Sequence, residues 1–296
     1  MGAEAVIIHN NIEGDLNGTL GGENDAFVPA TGISQAAGQA LLADLESGAV
    51  NVTLDLQVFS EMRETFNVLA ETAAGREDNV VMLGAHLDSV TEGAGIYDNG
   101  SGSAGILEVA IQLAKVKKLN NTVRFAWWGA EELGLIGSTA YVEGLDDDGR
   151  ARIKAYINLD MIGSINHVYQ LGDGDGSTTG KPAPAMSGEL EAFFLADFAE
   201  RKLPIQESRF LDRSDYKAFA EAGIGVAQLN TGHDTPKSPQ QAVKFGGTAN
   251  APLDPCYHKK CDDMTNVNMD VAEVITRSMA RAAQHFGVEG RGLTDE

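Results

Sequence analysis

The sequence predicts an α/β fold, a mostly parallel twisted sheet with helices on both faces. Three observations predict it. From Thr65 onward, strand-like runs alternate with helix-like stretches, the order that builds βα units. Several of those runs are apolar throughout rather than alternating, as in strands covered on both sides. The length, 296 residues, accommodates one large α/β domain or a medium domain with a smaller one.

The elements follow in order. The first sixty residues differ in texture from the rest, so we divide the chain at 1–60 and 61–296. "AEAVIIHNN" reads as a short strand, and the Gly/Asn/Asp-rich stretch from Ile12 to Asp25 as a loop. "ISQAAGQALLADLESG" reads as a helix opened by Ser34 and stopped at Gly48. "VNVTLDLQV" alternates apolar and polar residues and predicts a half-buried strand. Further on, "TFNVLA" and "NVVMLGAH" are strands, and "GSAGILEVAIQLAKVKK" is a helix with Leu107, Ala110, Ile111 and Ala114 on one face. "TVRFAWW" is a strand, with a helix expected from about Glu131. "AYINLDMIG" is a near-continuous apolar strand carrying one acid. "SGELEAFFLADFAERK" and "SDYKAFAEAG" are helices, "IGVAQLN" is a strand, and a last helix starts near Asn268.

Composition excludes several functions. A net charge of −21 argues against a nucleic-acid partner, which needs clustered Lys and Arg, and against docking on anionic membranes. No apolar run approaches the ~20 residues that span a bilayer, and MGAEAVIIHNN has neither the basic nor the apolar region of a signal peptide. The only two cysteines lie in "DPCYHKKCDD". Cys256 and Cys261 are close enough to bridge. They could instead hold zinc, although further ligands of a structural zinc site are not obvious. With no third cysteine in the chain, a local disulfide and an oxidising compartment are the stronger reading.

The polar residues of the strand ends point to chemistry. "VVMLGAHLDS" ends in His86 and Asp88, the next loop carries Asp98, "RFAWWGAEE" ends in Glu131 and Glu132, and "INLD" ends in Asp160. His258 follows far downstream. In a parallel sheet the carboxyl ends of the strands face one rim, where ligands bind. Each residue alone has an ordinary reading: a structural histidine, a turn aspartate before Asn-Gly, or glutamates suited to a helix N-terminus. Together they would repel unless a cation joined them. Imidazole and carboxylate without thiolate suit zinc, with cobalt or manganese as substitutes. Two such metals need a bridging carboxylate, and a bridged water becomes a nucleophile near neutral pH. A further carboxylate must then stay free to take its proton.

On "GAHLDSV", "GIYDNGSGSAG", "FAWWGAEELGLIGS", "NLDMIGS" and "DPCYHKKCD", the chain from about Thr65 to its end resembles the co-catalytic zinc aminopeptidases of peptidase family M28. The likeness is to the secreted type that carries a protease-associated domain. It implies a zinc-exopeptidase (phosphorylase/hydrolase-like) sheet and two Zn2+ per chain. His86 and Asp160 would hold one ion, Glu132 and His258 the other, and Asp98 would bridge them, preceding a cis bond to Asn99. Glu131 would be the general base and acid, Asp88 would orient His86, and Tyr257 would steady the developing oxyanion. The resemblance also implies a Cys256–Cys261 disulfide bracing the loop of Tyr257 and His258. Residues 1–60 would be the second half of a protease-associated domain, the first half and the helical start of the peptidase domain being absent. Two departures stand out: Tyr97, where relatives often carry Asn, and "LNTGHDTPKSPQQ", a loop expected near the substrate pocket.

The implied function is a secreted, monomeric metallo-aminopeptidase acting on the N-termini of peptides or proteins. Within the same fold, a carboxypeptidase or dipeptidase would need a cation for the substrate carboxylate, with Arg209 and Arg213 as candidates. A glutaminyl cyclase-like enzyme would use one zinc. A non-catalytic binding ectodomain would have lost ligands, whereas all five positions are intact here.

Overall fold

The computed structural model describes residues 2–14, 16, 24, 26–57 and 62–292. The chain divides into two compact units, Met1–Glu64 and Thr65–Glu296.

In the first unit, β1 (Val6–His9) pairs in parallel with β2 (Ala30–Ile33), and α1 (Gln35–Ser47) packs on β1. Ser34 caps α1 by accepting from the Ala37 amide at 3.2 Å, as the Ser-Gln opening predicts. The strand expected at "VNVTLDLQV" does not form. Residues 51–57 carry no regular structure, and Val52 and Leu54 are 51% and 37% exposed. Alternation becomes a strand only when a neighbouring strand takes its hydrogen bonds, and no described residue does so; Val58 lies outside the described residues. Most of the expected loop from Ile12 to Asp25 also lies outside them.

The second unit contains β3 (Val68–Glu71), β4 (Arg76–His86), α2 (Gly102–Leu113), β5 (Asn121–Trp128), α3 (Ile136–Glu143), α4 (Asp147–Arg152) and β6 (Ile153–Leu159). It continues with β7 (Gln170–Gly172), α5 (Ser187–Glu200), β8 (Gln206–Ser208), α6 (Tyr216–Glu221), β9 (Gly225–Asn230), α7 (Pro239–Phe245) and α8 (Met269–Ala282). The strands form a seven-stranded sheet in the order β3-β5-β4-β6-β9-β7-β8. The centre is parallel, β5 with β4, β4 with β6 and β6 with β9, while β3 and β7 run antiparallel to their inner neighbours. The mostly parallel α/β fold is therefore as expected. The helix expected from Glu131 begins at Ile136 instead. The short elements α4, β7, β8 and α7 were not legible, being too brief to show a period.

Successive residues of β4 point to opposite faces. Val81, Leu83 and Ala85 join the core under α2, α5 and α8. Val80 and Met82 join a second core with Trp128, Tyr156 and Phe219, covered by α3 and α6. Full burial of each large apolar side chain contributes roughly 1.5–3 kcal/mol. These two layers hold the parallel strands so that His86, Trp128 and Leu159 all end at one rim. Among the described residues no helix is long and apolar enough to cross a membrane.

Candidate active site

His86 is the last residue of β4 and is 1% exposed. Its Nδ1–H donates to the carbonyl of Asp88 at 3.0 Å, which leaves Nε2 aimed at carboxylates. Nε2 lies 3.3 Å from Asp98 Oδ1 and 3.3 Å from Asp160 Oδ1. On the other side, His258 Nε2 lies 3.2 Å from Asp98 Oδ2 and 3.2 Å from Glu132 Oε2. The two oxygens of Asp98 thus serve two different clusters. Donor atoms of His86, Asp98 and Asp160 fall within 4.8 Å of one another, and so do those of Asp98, Glu132 and His258. All five residues singled out as ligands are brought together.

The sequence places Asp98 through its neighbours. It sits in a turn of wide helical pitch, Ile96–Ser101, with a cis bond to Asn99. Asp262 accepts from the Tyr97 amide at 2.8 Å and the Asp98 amide at 3.1 Å. Asn99 donates to the Leu159 carbonyl at 2.9 Å and accepts from Gly102 N at 2.9 Å, joining the turn to the end of β6. A Cβ at Gly102 would stand 2.6 Å from the Leu159 carbonyl oxygen, so only glycine lets α2 start this close to β6. Tyr97 is fully buried, its hydroxyl 2.6 Å from the Gly232 carbonyl and 2.9 Å from that of Met161. It ties the Asp98 turn to the loop that "LNTGHDTPKSPQQ" forms.

Glu131 and Glu132 lie in a tight loop before α3, not in its first turn. Ala130 is left-handed at φ 57°, and the Gly134 and Leu135 amides both return to the Glu131 carbonyl. The Asp88 carboxylate accepts from the amides of Glu131 and Glu132 at 2.9 and 3.1 Å. It stands 3.7 Å from His86 Nδ1, so Asp88 holds that ring through its carbonyl and uses its carboxylate to set the two glutamates. Their side chains then diverge: Glu132 reaches His258, and Glu131 Oε2 stops 4.0 Å from His86 Nε2. A helix dipole therefore does not account for this pair of acids.

The electrostatics are those of crowded acids. Burial lifts the Glu131 carboxyl to about 9, against the pull of His86 and with Asp160, Asp215 and Glu132 adding to the rise. Burial lowers the His258 imidazole, but Asp98 and Glu132 overcome this and bring it up to about 10. Burial would raise Asp98, yet His258 and His86 hold it down at about 2. Protonated imidazoles thus balance the acids, a task that a metal would take over while displacing their protons. The residues fit zinc: the donors are imidazole and carboxylate, and Glu132 Oε1 is buried without a hydrogen-bond partner.

Beside these groups opens a cleft of about 330 Å³, lined by Glu131, Asp160, Tyr257, Asn230, His233 and Asp234 among others. The loop expected near the substrate pocket is on its wall. Arg209 and Arg213 line it too. Tyr257 stacks on His258 with ring centroids 3.8 Å apart, and the sulfurs of Cys256 and Cys261 are joined beside it. Sequence reasoning missed Ser214 and Asp262. Ser214 donates to Asp160 Oδ2 at 2.6 Å and accepts from Asn158 at 2.7 Å. The chain of bonds runs on through Tyr156 to Trp128 in the core. "DRSDY" carried that serine, but nothing in its spacing points to Asp160.

Residues 67–283 match the sequence model of Peptidase family M28. The chain belongs to this family. It is 45% identical over 291 residues to leucine aminopeptidase 2 of Trichophyton rubrum, covering 98% of this chain and 59% of that protein. Among solved structures it resembles the aminopeptidase of Aneurinibacillus sp. strain AM-1, with a TM-score of 0.75 and 27% identity over 100% of this chain and 66% of that one. It also resembles the zinc aminopeptidase BSAP of Bacillus subtilis, with a TM-score of 0.72 and 26% identity over 98% of this chain and 66% of that one. The chain thus spans about three fifths of the length of its curated relatives.

Proposed function

We propose that the chain is the catalytic part of a di-zinc aminopeptidase that removes N-terminal residues from peptides. The observation that carries this reading is the pair of donor sets sharing Asp98, with Glu131 beside them and off both. His86 and Asp160 would hold one zinc, Glu132 and His258 the other, with Asp98 common to both. Zinc so held would supply Lewis acidity at the scissile carbonyl and its attacking water. Glu131 would take a proton from the attacking water and later deliver it to the leaving amine. Positive charge at the adjacent donor sets favours the Glu131 carboxylate, which is the form a base needs. Tyr257 donates its hydroxyl to the tetrahedral oxygen. Glu131, Asp160 and Asp234 give the cleft the negative character that receives a free α-ammonium, and the names of the relatives support that direction.

Residues 1–60 are read as part of a protease-associated domain. The joined cysteines support an extracellular enzyme whose Tyr257–His258 loop they brace, and we read it as a monomer. Arg209 and Arg213 on the cleft favour a second reading, a carboxypeptidase or dipeptidase. Glu131→Gln tests the proposal. It should keep its metal yet lose kcat by about 10²–10⁴-fold, measured on amino-acid anilides alongside metal content. Full activity would remove Glu131 from the role of base.

A further inference from the structure

A second crowd of acids lies away from the cleft's metal donors. Asp173 follows β7, Asp175 lies two residues on, Glu191 is on α5 and Glu207 on β8. Donor oxygens of Asp173, Asp175 and Glu191 fall within 4.8 Å of one another. Asp173 and Glu191 are 0% and 2% exposed. Each acid has some hydrogen bonds. Asp173 Oδ2 accepts from Thr179 N at 2.6 Å, Asp175 Oδ1 from Ser177 N at 2.7 Å, and Glu191 Oε2 from Asp175 N at 2.9 Å. Three buried oxygens are left over: Asp173 Oδ1, Glu191 Oε1 and Thr179 Oγ1 have no partner.

Buried carboxylate oxygens without donors are costly, and carboxylates this close repel. The unmet need is for positive charge, and the donors are all oxygen. Histidine and cysteine are absent, which disfavours zinc and suits a hard cation. Calcium takes 6–8 oxygens at about 2.3–2.6 Å, so oxygens on opposite sides of the ion stand about 4.8 Å apart. The donor oxygens of the cluster lie close enough together to share one such ion.

We propose that Asp173, Asp175 and Glu191 ligate Ca2+ through their carboxylates, with Thr179 Oγ1 as a neutral donor. The ion would stiffen one wall of the cleft. Asp173 N donates to Ser208 O at 2.8 Å, and Thr178 Oγ1 donates to Glu207 at 3.0 Å, so the loop is tied to β8. Ser208 and the next residue, Arg209, line the cleft. The site stands on its own geometry and does not depend on the peptidase reading.

The test is calcium titration of the zinc-loaded chain in chelator-resin-treated buffer, followed by calorimetry and thermal unfolding. Wild type should bind about one Ca2+ with Kd below ~1 mM and gain several degrees in Tm. Asp173→Asn and Glu191→Gln should each weaken calcium binding at least ~10-fold while keeping wild-type zinc content. Glu191→Gln retains the acceptor for Asp175 N, so without calcium it should unfold no lower than wild type. If Asp173→Asn does not fold, Glu191→Gln carries the comparison. Absence of calcium binding by wild type up to about 5 mM would overturn the proposal. Unchanged calcium affinity in the variants would do so as well.

Discussion

Asp98 meets His86 with one oxygen and His258 with the other, so its removal should affect both donor sets together. Asp98→Ala should lose metal as well as activity; retention of two zincs per chain, measured by elemental analysis, would remove its bridging role. Ser214 makes a finer point. Its hydroxyl occupies the Asp160 oxygen that does not face His86. Ser214→Ala should cost about 10–100-fold in zinc affinity at the His86–Asp160 side, with the second ion less affected. Competition with a zinc-sensitive dye measures this, and equal loss at both sites would contradict it. The glutamate pair shows why adjacency is useful here: one aspartate, Asp88, anchors both amides, and the two side chains then part.

At the level of elements, the rim is only as rigid as the strands behind it. Phe219 of α6 stacks on Tyr156 of β6 at 3.9 Å and contacts Trp128 at the end of β5. The same Tyr156 and Trp128 begin the chain of bonds that ends at Asp160. Phe219→Ala should destabilise the fold by about 3–5 kcal/mol, read from chemical unfolding, because it leaves a cavity among fully buried rings. A loss under about 1 kcal/mol would mean that α6 closes over the gap. The loop between β5 and α3 follows a similar logic. Gly137 N donates to the Gly129 carbonyl at 3.0 Å, and a Cβ at Gly137 would come within 2.3 Å of that oxygen. The small residues after the glutamates therefore close a loop rather than extend a helix.

Across the molecule, the legible features were those that a single strand or helix can express. Apolar runs ending in His86, Glu131, Glu132 and Asp160 announce a rim because parallel strands must all end on the same side. Ser214 and Asp262 were not legible, since each acts through hydrogen bonds to segments distant in the chain, and such bonds leave no period. "VNVTLDLQV" misled because alternation records a capacity for pairing, not the presence of a partner. The start of α3 was misplaced because Ala130, Gly134 and Leu135 take left-handed backbone, at φ 57°, 109° and 61°, which a right-handed helix cannot include. The Asp173 cluster went unread because its acids come from a loop, a helix and the strand beside it.

The central claim is that the chain holds two zincs and acts on free N-termini. Anomalous scattering at the zinc edge, paired with hydrolysis of one peptide in free and N-acetylated forms, tests it most directly. The account predicts two zinc peaks flanking Asp98 and cleavage of the free peptide alone. A single peak, or equal cleavage of the acetylated peptide, would contradict it.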